Sequence, residues 1–425
     1  MERRVDEFYR TVAGFDRLDR DVTAEIVCTG SLNHTFDVDQ IISFDYSGDI
    51  FSVSDAPIGN VTSNELTVEI LGRYDLAVGD KLVVYLSEEL SGVTGKLCTV
   101  YVYDCKYDLS TDVSTVTAYD WLYDLLSDTP NYGMVRQNIK LSTVINYIFE
   151  IQGISRSKLN VDPLLENFVL PYFFMQPGSF GTTLDALTTA YSFCIYVDAN
   201  EILQVKSLSG IGVETTLSDS VHVINVVSDP LSIRPGTEYD VRYTEYTKVL
   251  GDEAYSTTIT TVAGLNTIAN VTVKDPILGL QSVQTSGDTI VSLDSIKYNQ
   301  YTISISIVAS SATDLEVKVI VDTLQPGVTQ RLSISSKSTL IENPYVFNMA
   351  QAQKLCEMYN RYSQQGTKIS CEARMSPMYQ GGVGISLSVP GFEDDYIITG
   401  NEFHYDGALS GTYTLYKKEV YVSAV

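Results

Sequence analysis

The chain has 425 residues, 44% hydrophobic and 19% charged, so there is apolar material for about three domains and intrinsic disorder is excluded. Lys and Arg number 28 against 53 Asp and Glu, a net charge of −25, and such a field repels nucleic-acid backbones and anionic lipid surfaces. Tyrosine is abundant, at 29 residues against one tryptophan, which suits half-buried sheet faces where the ring packs and the hydroxyl stays wet.

The first residues mix Glu2, Arg3, Arg4, Asp6 and Glu7 with no apolar stretch behind them, so no signal peptide is expected. Residues 1–20 read as a charged N-terminal arm, amphipathic through Phe8, Val12, Phe15 and Leu18. From 21 to 118 the pattern is almost all strand, with β-rich runs at 67–70, 81–85 and 97–103 parted by breakers such as Val78-Gly79-Asp80. A first small β-barrel is expected there.

The period then changes. Ala118, Trp121, Leu122, Leu125 and Leu126 recur at helical spacing, and Pro130 closes the segment. A second helix is expected after Ser142 and a third over about 180–190. The third runs into a hairpin, 193–197 turning through Asp198-Ala199-Asn200 into 202–205. Residues 119–233 therefore read as an α+β domain.

Residues 265–340 are rich in Ser, Thr, Val and Ile and alternate strictly, as in 301–307, which predicts an inserted β-sandwich. Residues 234–264 and 341–425 are expected to form a second β-barrel with a helix over 349–363. Asn348 is placed to cap that helix, with Gln351 three residues on. A faint repeat links the two ends of the chain. Gly79-Asp80-Lys81-Leu82 leading to Val100–Tyr103 is echoed by Gly382-Val383-Gly384-Ile385 leading to Tyr396–Thr399. The fold class that results is mainly β with α+β: two related small β-barrels, an intervening α+β domain and an inserted β-sandwich.

Chemistry-bearing residues are scattered. His34, His222 and His404 lie far apart, without Cys or His at ligand spacing, so no metal site is expected. The six cysteines, at 28, 98, 105, 194, 356 and 371, form no Cys-x-x-Cys pair and read as free thiols of a reducing cytoplasm. Cys98 and Cys105 share one strand but point to opposite faces. Gly210-Ile211-Gly212 and Gly381-Gly382-Val383-Gly384 lack the strand-to-helix setting of a phosphate loop and read as turns. The densest carboxylates, Glu88 and Glu89, then Glu393, Asp394 and Asp395, sit in loops beside Gly or Pro, as solvated charge does. No catalytic, cofactor or metal residue is assigned and no cofactor is expected. No run of about 18 apolar residues occurs, so no membrane-spanning helix is expected.

Several segments in order resemble the tail hub, or baseplate hub, proteins of tailed bacteriophages and phage-like particles. They are Asp55-Ala56-Pro57-Ile58-Gly59 through Ser63-Asn64-Glu65-Leu66, then Val116-Thr117-Ala118-Tyr119-Asp120-Trp121-Leu122. The helix and hairpin from Thr182 to Val205, and Glu342-Asn343-Pro344 with its following helix, complete the series. The chain departs from the pattern where Gly382-Val383 stands in place of a Gly-Asp pair, and no peptidoglycan hydrolase is expected after the last barrel. The resemblance implies a non-enzymatic virion protein of the tail tip or baseplate, assembled in the bacterial host cytoplasm. It also implies a homotrimer that adapts a sixfold tube to a threefold tip. The implied partners are the tail tube or distal tail protein, a central spike or fibre, and the tape-measure protein, with DNA in transit rather than stably bound. Two other functions fit the inventory. One is a tail-associated peptidoglycan hydrolase using paired carboxylates. The other is a carbohydrate-binding adhesin in which Tyr298 and Tyr301 stack on sugars.

Overall fold

A computed structural model describes residues 22–50, 59–88, 94–128, 130, 132–218, 223–229, 238–286, 290–331, 338–365, 368–373 and 379–418. The expected arm at 1–20 lies outside them, as do His222, Glu89 and the side chain of Glu88.

The N-terminal β unit is built from β1 (Val22–Thr29), β2 (His34–Phe36), β3 (Ile41–Ser47), β5 (Glu65–Leu71), β6 (Lys81–Glu88), β7 (Thr94–Asp108) and β8 (Val113–Tyr119); the short β4 (Asn60–Val61) leaves it to pair elsewhere. Their apolar residues alternate with polar ones, so one face of each strand is buried: Leu66, Val68 and Ile70 on β5, and Leu82 and Val84 on β6. Next come α1 (Leu122–Ser127), β9 (Arg136–Lys140), α2 (Leu141–Ile151), β10 (Leu159–Val161), β11 (Val169–Phe173), α3 (Phe180–Tyr191), β12 (Phe193–Val197) and β13 (Leu203–Ser207). They form the α+β unit around the sheet β10-β13-β12-β4. The hairpin of β12 and β13 is where the sequence places it. Helix α2 begins one residue before Ser142, which therefore lies in its first turn rather than at its cap.

Two further strands, β14 (Val213–Ser218) and β15 (Val223–Asp229), precede the inserted module. That module comprises β16 (Tyr239–Thr260), β17 (Gly264–Thr272), β18 (Ile277–Thr285), β19 (Ile290–Tyr298), β20 (Thr302–Ala309), β21 (Asp314–Arg331) and β22 (Thr339–Glu342). The sheets β18-β21-β16-β22 and β17-β20-β19 enclose one core of Val271, Ile277, Ile303, Ile305, Ile307, Val317 and Val319. The chain closes with α4 (Met349–Gln365), β23 (Lys368–Ala373), β24 (Gly384–Ser388), β25 (Asp394–Tyr405) and β26 (Leu409–Lys417).

The pairing departs from the expected segmentation in three ways. First, β14 and β15 fall within the span expected for the α+β domain, yet β14 pairs with β24 and β15 with β23. Second, residues 239–243 and α4 were expected in the second barrel. Tyr239, Val241, Tyr243, Ala352, Leu355 and Met358 instead pack into the core of the α+β unit, against residues such as Ile145, Phe149, Leu184 and Leu187. Third, β16 runs on into the inserted module and pairs with β21, so the module begins before residue 265. The reason is common to all three. Alternation reports which face of a strand is buried, not which strand lies beside it.

Two separate small barrels were expected, at 21–118 and at 234–264 with 341–425. Among the described residues the strands instead follow one open path, β15-β23-β26-β25-β3-β5-β8-β7-β6-β1-β2, with β14 and β24 attached at β25. The two β units are thus neighbours in one sheet, joined where β3 pairs with β25. Ile26, Phe44, Leu66 and Val116 of the first share one apolar cluster with Leu217, Ile369, Phe403 and Leu415 of the second.

Candidate functional site

No cluster of His, Cys, Asp and Glu among the described residues has the arrangement of a metal site. His34 is packed between Phe36 and Tyr74, with ring centroids at 4.7 and 5.8 Å, and its Nε2 lies 3.3 Å from the Gln40 amide. The Glu393 carboxylate accepts from the Gly391 amide of its own loop at 3.0 Å. Asp394 is partly buried, but Lys417 at 2.6 Å and the Asp395 amide hold its carboxyl below the usual range. The six cysteines are free; burial pushes the thiols of Cys28, Cys194 and Cys371 up to about 11, 12 and 12, which leaves them unreactive at neutral pH.

Tyr301 is not a free stacking platform. Its ring meets Tyr132 edge-on at 5.4 Å and its hydroxyl donates to the Met175 carbonyl at 3.1 Å. Beside it, buried Gln300 pairs with the backbone of Met175 like a strand neighbour. Its Oε1 accepts from the Met175 amide at 3.0 Å, and its Nε2 donates to the carbonyl at 2.7 Å. These contacts lock the inserted module to the α+β unit. Tyr298 packs at the module core.

Several buried or tightly paired polar residues stand at joints between units. The first joint follows the Ala118-Tyr119-Asp120 segment. The buried Asp120 carboxylate accepts from the Asn64 amide at 2.8 Å and the Leu122 amide at 2.9 Å, so it ties β5 to the start of α1. Asn64 Nδ2 in turn donates to the Val197 carbonyl at 2.8 Å, reaching the α+β hairpin. Burial pushes the Asp120 carboxyl up to about 7, against the pull of its amide donors. At the tip of the same hairpin Glu201 receives Lys81 Nζ at 2.6 Å and the Tyr101 hydroxyl. Partial burial notwithstanding, these partners hold its carboxyl low.

The second joint lies at Glu342-Asn343-Pro344. Asn343 Nδ2 donates to the Ala186 carbonyl at 2.7 Å, and the Tyr345 hydroxyl to the Phe174 carbonyl at 2.7 Å. Asn348 Oδ1 accepts from the Gln351 amide at 2.9 Å, the expected cap. The Gln351 side chain returns to the amide of Phe347 rather than to that of the cap residue.

The third joint is the seam of β3 with β25. Residues 44–47 register with 405–402, and the Gly48 and Ile50 amides extend the ladder to the Asn401 and Thr399 carbonyls at 2.9 and 2.8 Å. Ile50, Cys194, Tyr196, Leu208, Ile211 and Ile397 form a small cluster drawn from the two β units and the α+β unit. Glycines permit the close approach. Gly382, at φ +82°, lies under the Tyr196 ring, and a methyl at Gly384 would overlap the Gly212 carbonyl oxygen. The turn reading of 381–384 thus acquires a purpose that sequence alone did not show: it clears space between units.

No family model and no curated protein matches the chain. Solved structures do. One is the 43 kDa tail protein of prophage MuSo2 from Shewanella oneidensis, with a TM-score of 0.54 and 9% identity, covering 94% of this chain and 99% of that one. Another is the tail protein from Neisseria meningitidis MC58, with a TM-score of 0.52 and 11% identity, covering 94% and 98%. At such identity the likeness is one of fold. Both of these neighbours are tail proteins, one of them from a prophage, and this chain shares their fold over nearly its whole length.

Proposed function

We propose that the chain is a structural hub at the distal end of a phage tail or phage-like particle, without enzymatic activity. The observation that carries this reading is the continuous sheet joining two β units through β3 and β25. One chain thereby offers two adjacent β units as one rigid face. Three chains offer six, which lets a threefold tip meet a sixfold tube. The fold of two tail proteins supports the same reading.

In this role the protein is a homotrimer that closes the tail tube, with the two β units as quasi-equivalent positions alternating around a channel. It seats a central spike or fibre on one side, faces the tail tube or distal tail protein and the tape-measure protein on the other, and lets DNA pass. A net charge of −25 suits a wall that a polyanion must slide past without sticking. Such a ring uses one heterologous interface that closes on itself and buries large, partly apolar surfaces.

Light scattering tests the assembly, on the purified chain or on the tail-tip subcomplex. The expected mass of the ring is 141 kDa, three times the 47.0 kDa of one chain. A monomer in both preparations, or a closed sixfold ring of this chain, overturns the reading. Cryo-EM of the intact particle then checks its place at the tip.

A further inference from the structure

The seam between the β units is apolar on its inner side and charged on its outer side. Inside, Phe44 stacks on Tyr405 with centroids 5.3 Å apart, and Tyr46 lies against Phe403 at 6.0 Å. Outside, His404 stands opposite Asp45 and Glu402 opposite Ser47. Glu65 on β5 flanks this row on one side, opposite Ser47, and Glu372 on β23 flanks it on the other, opposite Thr412. These residues line a cleft of about 500 Å³, where His404 is the one side chain able to carry positive charge among the described lining residues. Its Nδ1 is 2.7 Å from Asp45 Oδ1 and its Nε2 3.8 Å from Asp406 Oδ2. Next along the ladder is Asp49, half-buried beside Gly400, with Glu402 and Lys368 as the charges acting on it.

We propose that this seam is a proton-operated latch, in which protonated His404 bridges Asp45 on β3 and Asp406 beyond β25, and loss of the proton leaves the seam's carboxylates facing one another. An imidazolium donates from both ring nitrogens and carries charge; a neutral ring keeps one N–H and none of the charge. The hydrogen bond to Asp45, opposed in part by burial, raises the His404 pKa above its ordinary value. Asp49 acts in the same sense. Burial first, then the Glu402 charge, pushes its carboxyl up to about 6, so rising pH adds a second anion beside Glu402, which Lys368 offsets in part. Both groups bind protons more tightly in the folded chain than in the unfolded one. Their contribution is therefore present at acid pH and lost as pH rises, through about 6 for Asp49 and above the ordinary histidine range for His404. The latch is closed in mild acid and loosened in mild alkali, while the shared apolar core holds the units together in both states. It rests on the seam alone and stands or falls apart from the hub reading.

Hydrogen exchange of the full chain at about pH 5.5 and about pH 8, corrected for intrinsic rates, tests the latch. Peptides covering 41–50 and 396–405 are expected to lose about two- to fivefold more protection at the higher pH than peptides from β7 and β8, the range of a partly exposed ion pair. His404→Gln should remove the part of that excess that His404 carries, and His404→Gln with Asp49→Asn nearly all of it. A uniform loss across the chain, or an excess that His404→Gln leaves undiminished, overturns the proposal. Should the variant fail to fold, an NMR titration of the wild-type chain decides. A His404 imidazole that titrates above the ordinary histidine value supports the latch, and one at or below it overturns it.

Discussion

The two β units reach the same core by different routes. The N-terminal unit comes from one stretch of chain, and its internal ladders are all antiparallel. Some join consecutive strands, as β6 with β7 and β7 with β8, and others reach further, as β1 with β6 and β5 with β8. The C-terminal unit is assembled from two segments, β14 and β15 on one side of the inserted module and β23 to β26 on the other. It closes with the parallel pair of β14 and β24, which no turn can make. Every ladder inside the first unit thus lies within one stretch of chain, whereas two ladders of the second, β14 with β24 and β15 with β23, span the inserted module.

If the two units share one core, they should also share one unfolding transition. Leu66→Ala in the first unit and Leu415→Ala in the second remove fully buried side chains of the same cluster. Each is expected to cost about 3–4 kcal/mol and to move one common midpoint in urea. Two separate transitions, each moved by one variant alone, would break the shared-core comparison. A smaller effect is expected at the joint special to the second unit. The methyl of Gly384→Ala would meet the Gly212 carbonyl oxygen, so the parallel pair must open, at about 2–3 kcal/mol. Gly279→Ala, with open space around it, serves as the control and should stay within about 0.5 kcal/mol.

The same contrast explains what the sequence disclosed. Alternation at 67–70 and 81–85, the helical stripe of Val144, Ile145, Ile148 and Phe149, the Asp198-Ala199-Asn200 turn and the Asn348 cap are local signals. The structure carries each as an element. The partners of β14 and β15 were not legible, because their ladders cross the inserted module and leave no periodic trace in either segment. Tyr301 and Gln300 show the same limit. A strand tyrosine reads alike whether it faces solvent or the backbone of Met175, and only the docked α+β unit decides. Asp120 lay inside the Ala118–Leu122 segment, yet nothing in the pattern marked it as the residue that ties two units.

The last prediction concerns that residue and the joint of the first β unit with the α+β unit. Asp120 is 3% exposed, accepts two backbone amides, and is pushed up to about 7 by burial. In Asp120→Asn the side-chain oxygen can serve one amide while the new NH2 faces the other donor, a loss of about 1–3 kcal/mol. The size of that loss should depend on pH. The wild-type carboxyl holds its proton more tightly folded than unfolded, so its contribution is full below the ordinary aspartate range and is lost as pH rises through about 7. Asparagine does not titrate. The variant should therefore fall further below wild type at about pH 5 than at about pH 8, by about 1–3 kcal/mol in urea denaturation, on the scale of 1.4 kcal/mol per pKa unit. A loss that instead grows toward alkaline pH would mean that the two amides outweigh burial and keep Asp120 an anion. The joint would then be an anion held by backbone amides, and the acid-favoured behaviour proposed for the seam at His404 would not extend to it.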